Sequence, residues 1–333
     1  MKHSNISIFI PHKGCPNKCS FCNQHTISGA EKSPTAEEVF QICEKAFSEI
    51  RSPENTEIAF FGGSFTAIPR EYMLQLLETA VQFVGDGKFH GIRISTRPDC
   101  IDSEVLEILK NYGVTSIELG AQSMNDNVLR FNDRGHTAED VFRASCLIRD
   151  YGFELGLQMM VGLYGSTEKN ESETIQKILE IRPDTVRIYP VVILRNTRLA
   201  ELLETGEYRP FEMDTVIEIC SDAIVRFESV GIKVIKCGLH ASEFVENDMV
   251  GGFYHPAFRE LCESRIYRRK ISEITENKSG RYVFRINDRC ISKALGHGKS
   301  NIEFFREYGM EIKFTGDSNI PVYEVVEVKQ FVP

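Results

Sequence analysis

The sequence predicts an α/β fold, a partial TIM-like (β/α)6 barrel followed by a small C-terminal α+β domain. Three observations carry that prediction. Short apolar, β-branched runs alternate with amphipathic stretches through the first two-thirds of the chain. The stretches between the runs are long enough for helical crossovers, which makes the strands parallel, and right-handed crossovers curl such a sheet toward a barrel. Beyond about residue 240 the alternation gives way to a different rhythm.

The strand-like runs come in the order ISIFIP (6–11), TEIAFFGG (56–63), GIRIST (91–96), TSIELGA (115–121), ELGLQMMVG (154–162) and TVRIYPVV (185–192). Between them lie helical patterns, including TAEEVFQICEKAFSEI (35–50), REYMLQLLETAVQFV (70–84) and SEVLEILKNYG (103–113). The first of these opens with Thr35 and carries Glu38 three residues later, the spacing of a capping box. A long helical stretch at 213–231 and the run IKVIKCGLH (232–240) complete the barrel, so its boundary is placed at 237/238. The remainder, 238–333, reads as a helix at 258–274, short strands at 281–287 and 310–314, and a helix at 299–309.

Of 333 residues, 26% are charged and 42% hydrophobic, and no run approaches the ~18 apolar residues of a membrane helix. The first ten residues lack the apolar stretch and cleavage site of a signal peptide, so a cytoplasmic protein is expected, with no membrane partner. In a reducing compartment the scattered Cys43, Cys100, Cys146, Cys220, Cys262 and Cys290 read as buried small apolar residues. The net charge of −9 argues against blanket nucleic-acid binding. It is uneven, however. Residues 259–313 hold 13 Lys and Arg against 8 Asp and Glu, a local +5 that marks a candidate site for an anionic partner.

Three thiols are clustered. HKGCPNKCSFCNQ (12–24) places Cys15, Cys19 and Cys22 in a C-x3-C-x2-C pattern immediately after the first strand. A structural zinc site would need a fourth ligand, for which His12 and His25 are near in sequence. Thiolates alone can hold an iron–sulfur cluster, and three of them on a four-iron cluster leave one iron open for chemistry. The loop's place at the carboxyl-end mouth of a barrel, where such folds put active sites, suits the second arrangement. Phe21 within the loop would shield a cluster from water.

This C-x3-C-x2-C loop after a first strand resembles the signature of the radical S-adenosylmethionine (radical SAM) enzymes. The resemblance implies a [4Fe-4S] cluster on Cys15, Cys19 and Cys22. It also implies S-adenosyl-L-methionine bound to the open iron and cleaved reductively to a 5′-deoxyadenosyl radical that abstracts hydrogen from a substrate. FFGGSFT (60–66) looks like the family's glycine-rich second-strand motif, which makes Gly62, Gly63 and Ser64 cofactor contacts; the glycines would let backbone approach a ligand. Gln122 in ELGAQS (118–123) and Arg134 in RGHT match the polar residue and carboxylate-binding arginine of the oxygen-independent coproporphyrinogen oxidase subgroup. An arginine fork suits a carboxylate. LQMMVGLYG (157–165) resembles the segment that flanks the adenine, with Gln158 where that subgroup has an aspartate for the ribose hydroxyls.

A narrower likeness runs from about Ile8 to Pro210. STRPD (95–99), ELGAQS, RGHT and VRIYPVVILRNTRLAELLETGEYRP (186–210) resemble the radical domain of the Elongator catalytic subunit, from a family that modifies wobble uridines of transfer RNA. Two departures accompany it. The cysteines here are more tightly spaced, and no acetyltransferase domain is expected after the radical domain.

The resemblance thus implies an enzyme, oxidoreductase or transferase, acting on tRNA, with a flavodoxin- or ferredoxin-like electron donor. The basic segment 259–313, with Arg265, Arg268, Arg269 and Lys270 on one helix, would meet phosphates. The alternatives are a small-molecule or peptide substrate, or a non-catalytic zinc or iron–sulfur binding protein. Thr96, Arg97 and Asp99 either order the barrel mouth or touch substrate, and Arg187 and Tyr189 share one side of the sixth strand at the mouth. Cys237 and His240 form a Cys-x2-His pair without a matching partner pair, which favours ordinary packing, and His255 in a Gly- and aromatic-rich loop is a proton-donor candidate weighed against a structural role.

Overall fold

Seven parallel strands form the main sheet of the computed structural model, which describes residues 4–331 apart from 12, 16, 17, 24, 25, 28, 30, 31 and 241. His12 and His25 lie outside the described residues. The strands are β1 (Ser4–Ile10), β2 (Thr56–Gly62), β3 (Gly91–Thr96), β4 (Val114–Gln122), β5 (Glu154–Val161), β6 (Thr185–Pro190) and, after the short β7 (Val192–Leu194), β8 (Lys233–Cys237). Their spatial order is β1-β2-β3-β4-β5-β6-β8, the order of a sheet wound in one direction into a half-barrel. The helices connecting them are α1 (Ala36–Glu49), α2 (Arg70–Val81), α3 (Ser103–Asn111), α4 (Asp126–Phe131), α5 (Ala138–Asp150), α6 (Glu168–Ile181), α7 (Arg198–Glu204) and α8 (Met213–Ser229).

The expected six strands are seven. The run at 232–240 supplies β8, which pairs in parallel with β6. The expected strand at 185–192 is two: β6 ends at Pro190, and after the Val191 N–H donates to the Val161 carbonyl the chain leaves the main sheet. Beyond it β7 leaves the sheet and pairs antiparallel with β9 (Met249–Gly252), which follows α9 (Glu243–Asp248). The capping box forms as expected: Thr35 accepts from the Glu38 N–H, and Glu38 accepts from the Thr35 N–H at 2.7 Å.

The C-terminal part is built from α10 (Phe258–Thr275), β10 (Gly280–Ile286), α11 (Ile291–Leu295), α12 (Ser300–Glu307), β11 (Met310–Gly316) and β12 (Val325–Phe331), with sheet order β11-β10-β12. It does not stand apart from the barrel. Phe258, Cys262, Ile266 and Tyr267 of α10 belong to the same buried cluster as Ile217 and Phe227 of α8 and Val234 of β8. Among the described residues no helix is long and apolar enough to cross a membrane.

Of the scattered cysteines, Cys43, Cys220, Cys262 and Cys290 are buried as expected and Cys100 is half-buried. Cys146 is exposed, contrary to expectation. It lies four residues after the exposed Phe142 on the outer face of α5, whereas Ala144, Ser145 and Ile148 face the core.

The interior of the half-barrel carries charge. Arg93, 1% exposed, donates to Glu57 at 2.6 Å, Glu118 at 3.2 Å and Glu154 at 2.8 Å. Glu118 also accepts two bonds from Arg187, at 2.6 and 2.9 Å. Burial pushes the Glu118 carboxyl up, but the Arg187 and Arg93 guanidiniums outweigh burial and hold it below the usual carboxylate range. Gly156 makes room for this network, since a Cβ there would stand 2.7 Å from Glu118 Cγ.

Candidate active site

The cysteine loop leaves β1 and is docked on three sides by its backbone. The Gly63 N–H donates to the Ile10 carbonyl at 2.9 Å and the Ser64 N–H to the Lys13 carbonyl at 3.1 Å. A Cβ on Gly63 would meet the Lys13 oxygen at 1.8 Å, and one on Gly14, at φ +73°, would meet the Ser64 oxygen at 2.2 Å. The glycines of FFGGSFT therefore let the cysteine loop's own backbone approach β2, which is what their small size is used for here. Farther along, Ser20 donates to the Asn132 side chain at 2.7 Å and to its carbonyl through the backbone at 3.2 Å. The Leu199 N–H donates to the Ser20 carbonyl at 2.8 Å. Cys22 turns back on Cys19 through an N–H···O bond of 3.1 Å.

This docking brings Cys15, Cys19 and Cys22 to one cavity of about 530 Å³ at the carboxyl ends of the strands. Gly62, Gly63, Gln122, Arg134 and Gln158 line the same cavity. Ser64 does not. It is fully buried behind the wall, within 2.9 Å of the Thr96 hydroxyl, and accepts from the Arg97 N–H at 3.2 Å. Arg97 in turn grips Asp99 with two bonds of 2.9 Å and reaches the Arg134 carbonyl at 2.5 Å, so the STRPD segment orders the mouth. A larger, more open groove of about 740 Å³ lies outside, lined by Lys18, Arg130 and His136, and contains none of the three cysteines.

Arg134 is the link between the thiols and the β4 end. Its Nη1 donates to Cys19 Sγ at 3.1 Å and its Nη2 to the Gly120 carbonyl at 2.7 Å, while its buried Nε has no partner among the described residues. Gln122 stands at φ +64°, a left-handed conformation costly for a side chain of this kind, and its buried Oε1 is also unpartnered. Next to them His136 contacts the Ala121 carbonyl at 3.3 Å; burial and the Arg134 charge push its pKa down to about 4, so the ring is neutral at physiological pH. Burial, reinforced by the Cys19 sulfur, raises the Cys15 thiol. Gln158 donates to Glu118 at 2.8 Å and to Ser95 at 3.3 Å, which fixes its side chain to the charged floor of the cavity.

Of the residues outside this group, Arg187 and Tyr189 line the cavity as their spacing predicts, and Phe21 does too. Cys237 packs in the core, whereas His240 sits on the cavity rim, so the pair is not a metal half-site. His255 is not on the cavity: its Nδ1 accepts from the Ala257 N–H at 3.0 Å and its ring stacks edge-on against His297. Sequence reasoning did not single out Lys18 or Lys236, which also line the cavity, nor Glu118, whose role depends on contacts from three other strands.

A half-barrel with three cysteines at the mouth of its first strand defines a class. The profile of the Radical SAM superfamily matches residues 9–178, just over half of the chain, and the chain belongs to that superfamily of enzymes. The profile of the Radical SAM C-terminal domain matches residues 183–268. Within the superfamily the chain is Elongator-like. It is 38% identical over 134 residues to the tRNA uridine(34) acetyltransferase of Methanocaldococcus jannaschii, covering 39% of this chain and 25% of that protein. It is 30% identical over 188 residues to Elongator complex protein 3 of Mus musculus, covering 50% and 34%. The chain thus spans about a quarter to a third of the length of these relatives. The fold matches that of the archaeal Elp3 of Methanocaldococcus infernus with a TM-score of 0.63 at 20% identity, over 82% of this chain and 63% of that one.

The residues present fit the cofactors the superfamily implies. Among the described residues no three Cys, His, Asp or Glu side chains converge on the single point a lone metal ion would occupy. A four-iron cluster binds each thiolate through a different iron and so takes ligands set farther apart. The unpartnered Gln122 Oε1 and Arg134 Nε on the same wall are the kind of buried polar atoms that a polar ligand satisfies.

Proposed function

We propose that this chain binds a [4Fe-4S] cluster through Cys15, Cys19 and Cys22, holds S-adenosyl-L-methionine beside it, and abstracts hydrogen from a nucleotide of tRNA. The observation that carries the reading is the convergence of three thiols with Gln122 and Arg134 on the lining of one cavity. When bound, the cluster supplies the single electron that breaks the carbon–sulfur bond of S-adenosylmethionine and so the radical that takes the hydrogen.

The chain's own residues do the rest. Arg134 offers a fixed positive charge to a carboxylate, and its bond to the Gly120 carbonyl holds the guanidinium in place. Gln122 offers an amide carbonyl, and Gln158 is braced on Glu118 at the cavity floor. Phe9, Phe21 and Phe61 supply apolar wall that excludes water from a reactive intermediate. A flavodoxin- or ferredoxin-like donor would deliver the electron, and the cytoplasm is where both that donor and tRNA are found.

Support for RNA comes from the relatives, two of which are named for Elongator or for tRNA uridine 34. It does not come from the basic segment. Arg265 pairs with Asp214 and Glu218, Arg269 with Glu218, Lys270 with Glu324, and Arg268 with Asn301 and the Phe304 ring. Those charges tie α10 to its neighbours, so the basic segment adds no support for the phosphate contacts expected of it.

The test is anaerobic reconstitution with iron and sulfide, followed by a strong reductant, S-adenosylmethionine and tRNA. Wild-type protein should form 5′-deoxyadenosine and change the mass of the RNA. Cys19→Ala should lose the cluster's visible absorption and 5′-deoxyadenosine formation together. A Cys19→Ala protein that still cleaves S-adenosylmethionine would show the ligand assignment to be wrong; wild-type cleavage that tRNA neither stimulates nor is altered by would point to a small molecule or peptide.

A further inference from the structure

Among its described lining residues the cavity contains five Lys and Arg side chains and no Asp or Glu. Most of these cations are already committed. Arg97 is paired with Asp99, Arg187 with Glu118 through two bonds, and Arg134 with Cys19 and Gly120. Lys18 is exposed to solvent. Lys236 differs from all of them: it is half-buried, lies directly beside Arg187 in the β6–β8 register, and has no ion-pair or hydrogen-bond partner among the described residues.

We propose that Lys236 is a substrate-binding residue, whose ammonium receives an oxyanion of the substrate inside the cavity. The inference rests on the radical reading of this cavity and adds to it a chemical requirement on what enters. A half-buried ammonium next to a guanidinium, with no acid facing it, is an arrangement that the protein alone leaves unfavourable. Burial and the Arg187 charge both hold its pKa below the usual lysine value, and an arriving anion would relieve both effects.

Position separates this site from the cofactor end. Gln122 closes β4, and the sheet order β4-β5-β6-β8 puts Lys236 three strands away. At ~4.8 Å per strand that is about 14 Å along the sheet. An anion on Lys236 is therefore a different group from the carboxylate assigned to Arg134. His240, on the rim four residues farther on, is held below the usual histidine value by burial and by Lys236, so it is uncharged and does not compete for the anion. A lysine ammonium is a point charge that receives a phosphate or a carboxylate oxygen alike, so the class of ligand is an oxyanion. Under the RNA reading, the anion is the phosphate of the nucleotide that occupies the cavity.

The experiment is anaerobic titration calorimetry on reconstituted, S-adenosylmethionine-loaded protein with uridine 5′-monophosphate, uridine 5′-carboxylic acid and uridine. Wild type should bind the monophosphate about tenfold or more tighter than uridine, as one charge-assisted bond implies. Lys236→Met should erase that preference and Lys236→Arg should keep most of it. A preference shared by the carboxylic acid assigns the site to oxyanions generally, and one confined to the monophosphate assigns it to the anion that RNA carries. Wild type that binds all three equally, or none, overturns the proposal, as does a Lys236→Met protein that retains the preference. So does a Lys236→Met protein whose affinity for S-adenosylmethionine falls as far as its affinity for the monophosphate, since Lys236 would then belong to the cofactor. Turnover on tRNA without any monophosphate preference removes this site but leaves the proposed function standing; a preference without a tRNA response does the reverse.

Discussion

Arg134 lines the cavity, spends one nitrogen on a sulfur and one on a backbone carbonyl, and keeps a third, buried, without a partner among the described residues. Such a side chain is positioned by the protein for something the protein does not supply. Arg134→Ala should therefore weaken S-adenosylmethionine binding on the order of ten- to a hundredfold, the equivalent of about 1.5–3 kcal/mol for a charge-assisted pair, while the cluster's spectrum persists. Equilibrium dialysis of the reconstituted protein measures this, and an unchanged dissociation constant would reduce Arg134 to a brace for Gly120 and Cys19. At this scale the placement of the cysteines, Arg187 and Tyr189 at the cavity was legible from motif spacing and strand period, and that of Arg134 from the family resemblance. The positive φ of Gln122 was not, because nothing in ELGAQS marks a left-handed glutamine. Nor was the engagement of Ser64, since its partners Thr96 and Arg97 come from a different strand end.

Among the elements, α6 and the turn before it carry a titration that the strand pattern cannot show. Glu171, 2% exposed, accepts from the Gly162 N–H at 2.9 Å and the Ser166 hydroxyl at 2.7 Å, and so ties the end of β5 to the start of the helix. Burial pushes its carboxyl up from 4.5 to about 7. A raised acid binds its proton more tightly in the folded chain than in the unfolded one. The contribution to stability is complete below pH 4.5 and is lost as pH rises through about 7, to the extent of about 3 kcal/mol. Glu171→Gln keeps an acceptor and cannot ionise. Urea midpoints should show the variant gaining on wild type between pH 5 and pH 9, and parallel pH profiles for the two proteins would mean that the carboxyl is not protonated in the fold. The elements themselves were mostly legible: strands and helices fall within a few residues of their expected bounds. One expected strand is divided where the chain leaves the main sheet after Pro190 to pair β7 with β9, a strand the sequence analysis did not place, and β12, whose Val326 and Val328 are exposed, was not placed either.

The whole molecule raises the question of whether 238–333 folds beside the barrel or as part of it. A boundary at 237/238 suits the change in sequence rhythm, but the packing ties the two sides together. Phe258, Ile266 and Tyr267 of α10 share one buried cluster with Ile217, Ile224 and Phe227 of α8. Arg259 crosses to Glu228, and Arg265 to Asp214 and Glu218, all of α8. The sequence showed these arginines as a basic run because charge is counted along the chain, whereas the acidic partners of Arg265 and Arg269 come from 47 or 51 residues earlier in α8 and that of Lys270 from beyond β11. With an apolar cluster and several partly buried ion pairs spanning the division, unfolding one side exposes the core of the other. The chain should therefore melt in one cooperative transition, with calorimetric and van't Hoff enthalpies in agreement. Arg268→Ala, which removes the bond to buried Asn301 and the contact with Phe304 on the far side of α10, should lower that single transition as a whole by about 1 kcal/mol. Two transitions in the calorimeter, of which only the later segment responds to Arg268→Ala, would instead establish 238–333 as a domain that folds on its own.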